Sequence, residues 1–289
     1  MTAALDILLE GVLLGGLYAI FASGLSLIFG VMRLVNLAHG DIIVLAAYLM
    51  LLVAKALGLG VALAFVIVAP LMFALGYATQ MGLLNRVVGR DILPPLLTTF
   101  GLSIILQNGM LTVFSADSRR LSAGGIEAQA LRLSPDLSIG VLPLLTLLAA
   151  ITVIVGINQL FYRTALGRAL RAVSDDPVTA QLMGIDNRRL FAVAFGIAMV
   201  ICAVAGLFLG LRANFDPTIG PGRLIFAFEA IIIGGLGSLW GTLAGGVILG
   251  LAQTIGASAS PEWQILAGHL AFLAILAVRP RGLFPRAID

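Results

Sequence analysis

Few side chains in this sequence could do chemistry, and most of them interrupt apolar runs. Glu229 stands about five residues inside a short apolar segment. An ionisable group inside a membrane costs of order 2.5–3.5 kcal/mol on insertion scales and usually faces a cavity or a partner. Glu229 therefore reads either as a pathway or gating residue, or as an acid near the membrane surface that pairs locally with Arg223. Asn36, His39 and Asp41 cluster where a second apolar segment begins. They read as a helix break lining the end of a route, or as side chains that satisfy loose backbone groups at a helix end. Tyr18, Gln107, Asn108 and Gln253 read as hydrogen-bonding groups between helices, with pathway lining as the alternative.

Catalysis and metal binding find little support in these residue types. His39 and His269 are the two histidines, Cys202 is the lone cysteine, and H-E-x-x-H is absent. A Walker loop needs a lysine after its glycines, and the one lysine, Lys55, follows Val53-Ala54. G-x-S-x-G is absent as well. No catalytic residue, metal or cofactor is expected, and a net charge of +3 needs no nucleic-acid partner.

The longest polar interruption with helical patterning spans 163–189. Leu166, Leu170 and Val173 share one face at helical spacing, and Arg168 and Arg171 fall away from it. Asp176 suits an N-cap, Pro177 the first helical position and Gly184 the left-handed position after a helix, so a second short helix is expected over 177–183. The segment reads as a basic loop that only sets topology, or as a docking surface gripped by a soluble partner.

These groups must be positioned by membrane helices. The 289 residues are 60% hydrophobic and 11% charged, with a mean hydropathy of +1.10, whereas soluble domains carry about 25% charged residues. Nine apolar segments follow, at 11–32, 41–57, 61–85, 92–116, 137–162, 190–211, 224–236, 241–259 and 263–278. Segments 41–57 and 224–236 are short, and short or glycine-interrupted segments in transporters lie inside protein or line a cavity. Glycine-spaced runs ending the first and sixth segments hint weakly at a duplicated fold. Gly234-Gly235-Leu236-Gly237-Ser238-Leu239-Trp240-Gly241 reads as a tight turn. With 163–189 placed inside, eleven of the seventeen basic residues fall on that side, which sets the N-terminus outside and the C-terminus in the cytoplasm. No basic residue precedes the first apolar run, so that span is expected to be retained.

Three stretches carry a family resemblance. The first is Gly15-Gly16-Leu17-Tyr18-Ala19, with Gly24 to Met32 and Val35-Asn36-Leu37-Ala38-His39-Gly40. The second is Arg171-Ala172, Asp176-Pro177, Ala180 and Met183-Gly184-Ile185-Asp186. The third is Gly234 to Gly241 with Arg279-Pro280-Arg281-Gly282-Leu283-Phe284. Together they resemble the shorter of the two membrane permeases of branched-chain amino acid ABC importers, over essentially the whole chain. The Glu-Ala-Ala of the wider importer class is missing, and Leu37 stands where an aromatic residue is usual.

The resemblance implies an all-α polytopic protein of eight or nine membrane helices, a type II-like ABC importer permease forming one transmembrane domain over 1–289 in a bacterial inner membrane. It implies a heterodimer with a second homologous permease, two cytoplasmic ATPases that bind the ATP, and a periplasmic substrate-binding protein docking chiefly on loops 117–136 and 212–223. On this reading Leu166, Gly167, Arg168, Leu170, Arg171, Asp176, Pro177, Ala180, Met183 and Gly184 couple the ATPases to translocation. Tyr18, Asn36, His39, Gln107, Asn108 and Glu229 line the pathway. The solute is a branched-chain amino acid or a related small polar solute such as urea, an amide or an aromatic or other organic acid. The competing reading is a self-sufficient channel or secondary carrier, which the scarcity of intramembrane acids disfavours.

Overall fold

A computed structural model describes residues 2–89, 91, 93–134 and 137–284. Arg90 and Arg286, both counted in the charge bias, lie outside the described residues, as does Ile92. The helices are α1 (Thr2–Met32), α2 (His39–Leu57), α3 (Val61–Gly82), α4 (Leu93–Phe114), α5 (Val141–Arg163), α6 (Ala165–Asp175), α7 (Pro177–Leu182), α8 (Asn187–Arg212), α9 (Gly220–Gly234), α10 (Leu239–Ala259) and α11 (Trp263–Val278). Among the described residues seven helices are long and apolar enough to cross a membrane, and α11 is shorter. The chain is an all-α, multi-pass membrane protein.

Each of the nine expected segments overlaps a helix, and three of these helices start four residues or more from the expected position. Helix α1 begins nine residues before the expected 11, because Asp6 and Glu10 do not stop a helix that runs past the apolar core. Helix α5 begins at Val141, not 137, because Leu137–Gly140 forms a strand (β2) that pairs antiparallel with Ala130–Ser134 (β1). Helix α9 occupies Gly220–Gly234, not 224–236: Pro221 sits in its first turn, where its missing N–H costs nothing.

Helices α2 and α9 both start part-way through the bundle. Segment 33–38 leaves the end of α1 and turns back along it, so that the His39 ring bonds the carbonyl of Phe21, 2.8 Å away. Eleven residues of α1 are retraced, about 16 Å at helical rise. Helix α9 begins against this point: a Cβ on Gly40 would lie 1.9 Å from the Gly220 carbonyl oxygen. From there α2 runs toward the start of α3, and α9 runs the opposite way, toward α6.

The packing repeats itself. Helix α1 lies along α10 as α3 lies along α8; α1 meets α9 as α8 meets α2; α2 covers α3 as α9 covers α10. Exchanging α1, α2 and α3 for α8, α9 and α10 reproduces the pattern. Helix α1 ends at the face carrying α6, where Ser174 Oγ donates to the Gly30 carbonyl, whereas α8 begins at that face. The two triplets are therefore inverted repeats, and the weak glycine-run likeness between the first and sixth segments has a structural counterpart.

Small residues make this packing possible. Between helices in lipid, close van der Waals approach replaces the hydrophobic effect. A Cβ on Gly15 would lie 2.4 Å from Val247 Cα, and one on Gly250 would lie 2.3 Å from the Gly11 oxygen. Helix α1 is the central post: 78% of its apolar window is buried, against 17% for α4.

The turn expected over Gly234 to Gly241 forms at 235–238, with Gly235 at φ 106° and Gly237 at φ 78°, while Leu239 to Gly241 already open α10. Leu283 and Phe284 donate backbone bonds of 2.9 Å to Ile233 and Gly234. The described end of the chain thus lies on the same face as α6, and the start of α1 lies on the opposite face.

Candidate functional site

Two polar clusters meet along α9. The first surrounds the helix starts. Asn36 is fully buried, and its Oδ1 accepts from the Ala38 amide at 3.1 Å. Its Nδ2 is buried without a partner. His39 is buried between the Phe21 carbonyl and Cys202, whose Sγ is 3.6 Å from Nδ1. Asp41 Oδ2 accepts a 2.5 Å bond from Ser103 Oγ on α4, and Gln107 Nε2 donates to that same Ser103 oxygen at 3.1 Å. Segment 33–38 is pinned to α4 as well, since the Leu37 amide donates to Thr99 Oγ1 at 3.2 Å. Asn36 thus satisfies backbone at the break between helices, whereas His39 bonds a carbonyl in the interior of α1, and both are closed off from solvent here.

The second cluster joins α1, α9, α10 and α11. Tyr18 donates from its hydroxyl to Gln253 Oε1 at 2.5 Å, the expected bond between helices. Phe226 packs on Tyr18 with centroids 5.1 Å apart and stacks on His269 at 6.3 Å. Glu229, only 4% exposed, is hydrogen-bonded through Oε1 to His269 Nδ1. Its other oxygen and Gln253 Nε2 are buried without partners.

Several local expectations are corrected. Glu229 pairs with His269 of α11, not with Arg223: one helical turn and a half separates Arg223 from Glu229, and α11 packs directly on α9. Asn108 bonds the Ile104 carbonyl of its own helix at 2.8 Å and is exposed, so it bridges no helices. Gln107 donates to Ser103 within α4 and also hydrogen-bonds the Asp41 carboxyl on α2, so it does bridge two helices as expected. His269 and Ser103 were not singled out by sequence. Nothing in periodicity finds His269, because its partner is forty residues away and the register between α9 and α11 decides the pair.

The polar loop forms two helices. Thr164 Oγ1 caps α6 by accepting from the Gly167 amide at 3.0 Å. Leu170 and Val173 are buried, Leu166 packs at the edge, and a Cβ on Gly167 would strike the Leu160 oxygen at 2.0 Å. Gly167, Leu170 and Ala180 therefore anchor the loop to the chain's own helices, so they position its surface without forming it. Asp176 caps α7, accepting from Val178 and Thr179 amides at 3.0 and 3.1 Å, and Gly184 follows with φ 85°. The Thr179 hydroxyl, donating at 2.5 Å, and these amides hold the Asp176 carboxyl below the usual carboxylate range.

Arg171 lies over the Tyr162 ring, 4.8 Å from its centroid, while Arg168 and Pro177 are exposed. Among the polar side chains that the loop exposes stands an apolar tip: Val178, Leu182 and Met183 are 69%, 82% and 78% exposed. Of these, sequence reading named only Met183. The spacing of Val178 and Leu182 opposite the buried Ala180 would have found the others.

Two helices interrupted at mid-depth, inverted repeats and a helical loop on one face define a membrane transport protein. Residues 7–278 match the family described as "Branched-chain amino acid transport system / permease component", and the chain belongs to that family, whose members are transport permeases and not enzymes. It is 28% identical to the high-affinity branched-chain amino acid transport system permease protein BraD of Pseudomonas aeruginosa, covering 96% of this chain and 95% of that one. It is 30% identical to the permease protein LivH of Escherichia coli, covering 96% and 94%. It is also 26% identical to the permease protein LivM of Escherichia coli, over 93% of this chain and 68% of that one.

Proposed function

We propose that this chain is one of two homologous permeases in an ATP-driven importer of branched-chain amino acids, held in a bacterial inner membrane. The α6–α7 face is cytoplasmic and the start of α1 is periplasmic, as the arginine bias requires. Two ATPases, which bind the ATP, grip α6 and α7. A binding protein delivers solute to the opposite face, and the second permease completes the pathway. The observation that carries this reading is the exposed apolar tip of α7, Val178, Leu182 and Met183. It stands on a loop bonded to the last turn of α1. Likeness to both LivH and LivM, named as permeases of one transport system in one organism, supports a paired assembly.

The mechanism is a two-state equilibrium of the membrane part, biased by the ATPases. Closing of the ATPases displaces α6 and α7. Ser174 passes the displacement to α1, against which α9 and α10 pack. The breaks at 33–38 and 213–219 let α2 and α9 shift without unwinding a continuous helix. Tyr18, Asn36, His39, Gln107, Asn108 and Glu229 lie on or beside the elements that shift, and those that are buried become pathway-lining only as the helices separate.

The test is co-purification followed by reconstitution. The tagged chain, expressed with its chromosomal neighbours, should bring down a second permease and two ATPases. In vesicles the complex should take up leucine only with ATP and binding protein. A chain that purifies alone and moves solute down a gradient would establish the channel or carrier reading instead. Uptake of urea, an amide or an aromatic acid in place of leucine would keep the importer and replace its solute.

A further inference from the structure

The face opposite α6 carries a cavity of about 580 Å³, within the roughly 300–1,000 Å³ of small-molecule sites. It is walled by the start of α1, strand β2, the start of α5, the ends of α8 and α10 and the start of α11. Its charged lining is Asp6, Glu10 and Arg212, and its apolar lining includes Leu13, Leu14 and Pro143.

Arg212 sits in the last turn of α8, where the helix end favours a cation. That field leaves its hydrogen-bonding capacity unmet, and Nη1 is buried without an acceptor. Glu10 acts on the guanidinium electrostatically. Yet among the described residues neither Glu10 nor Asp6 closes an ion pair with it. A cation and two carboxylates thus share one cavity with space between them. No bond anchors the guanidinium among the described residues, so it can turn to meet an anion, and a donor left without an acceptor is costly. The cavity also points inward. Leu14 and Ala257 line it, and one helical turn deeper, on the same faces of α1 and α10, Tyr18 donates to Gln253. Arg212 lies within electrostatic reach of that Tyr18 hydroxyl.

A guanidinium matches a carboxylate in bidentate fashion. The carboxylates of Glu10 and Asp6 present acceptors to an ammonium group. Leu13, Leu14 and Pro143 offer apolar surface to a hydrocarbon side chain. We infer that this cavity receives a zwitterionic amino acid with an apolar side chain, its carboxylate on Arg212 and its ammonium on Glu10 and Asp6. The inference rests on the importer reading and deepens it. It names the place where solute released by the binding protein first meets this chain. The Tyr18–Gln253 bond then stands as the next barrier, one turn further in.

The experiment uses the complete complex in lipid nanodiscs, without nucleotide and without binding protein. Labelled L-leucine should bind saturably. 4-Methylpentanoate, which lacks the ammonium, and isopentylamine, which lacks the carboxylate, should not displace it at the concentration where unlabelled leucine halves binding. Arg212→Gln and Glu10→Gln should each weaken leucine binding at least about tenfold, the scale of a lost charge-assisted bond. Glu10 is exposed, so its variant serves if the arginine variant does not assemble. Capture of the binding protein by both variants is measured alongside. Lost capture with leucine affinity retained would assign these groups to docking that protein and overturn the inference. Absence of saturable leucine binding, displacement by either analogue as strong as by leucine, or affinity unaltered in both variants also overturns it. ATP-driven uptake by the wild-type complex, with binding protein restored, is scored separately. Its presence beside any of these failures leaves the importer standing; its absence overturns the importer reading, and this inference with it.

Discussion

At the scale of single residues, Glu229 depends most on one neighbour. His269→Ala would leave a buried carboxylate with neither oxygen bonded, at a cost of about 1–3 kcal/mol. The thermal midpoint of the solubilised protein should fall accordingly, and Glu229→Gln in the same background should recover part of the loss. A midpoint equal to wild type in His269→Ala would mean that water replaces the imidazole. Outside the membrane, Asp176 and Glu127 have carboxyls held low. Asp176 accepts from the Thr179 hydroxyl and amide, and Glu127 accepts from the Ala123 and Gly125 amides. A depressed native value means that their stabilisation is present above the ordinary carboxylate range and is lost as pH falls through the native value. The protection of amides in α7 and in 123–127, relative to the unstructured exchange rate at each pH, should therefore fall on acidification below about pH 4, and Asp176→Asn should flatten the response in α7. The Asp176 cap was legible because Asp-Pro followed by a glycine carries its own local geometry. The Glu229 pair was not, because an acid's partner in a bundle is set by helix register and not by spacing along the chain.

At the scale of elements, the glycines of α1 and α10 have no room to grow. Gly250→Val should cost about 1–3 kcal/mol through overpacking and reduce the folded yield, whereas Gly101→Ala on α4 meets nothing within 4 Å and should be neutral or slightly stabilising. Comparison of thermal midpoints of the two variants checks this; equal losses would place the α1–α10 contact elsewhere. The nine apolar segments were readable because membrane thickness forces length and composition together. Their edges were less so. Gly220-Pro221-Gly222 has poor helix propensity, yet it opens α9 because Gly40 presses against Gly220 and only a bare backbone fits. Leu137–Gly140 is apolar enough to pass for helix, but pairing with Ala130–Ser134 makes it a strand.

At the scale of the molecule, the exposed tip of α7 should be separable from the fold. Leu182→Asp with Met183→Asp should abolish ATP-driven uptake and loosen the ATPases in co-purification. The free energy of unfolding should change by less than about 0.5 kcal/mol, as for other exposed sites. Full uptake by that double variant would remove α7 from the coupling path. The inverted arrangement of α1–α3 and α8–α10 was almost invisible in sequence, since apolar glycine-rich runs resemble one another whether or not they are related. Helix α1 packs against all three helices of the other repeat, and its length has a mechanical meaning. Its 31 residues make a rod of about 46 Å at helical rise. The rod is clasped near Gly15 by α10 and hydrogen-bonded near Gly30 by Ser174. With the clasp as fulcrum, the arm to Gly30 is about 22 Å and the arm to Leu5 about 15 Å. A 3 Å stroke at the inner end would then reach the outer end as roughly 2 Å in the opposite sense, a seesaw that carries motion across the bilayer while every backbone bond of α1 stays closed.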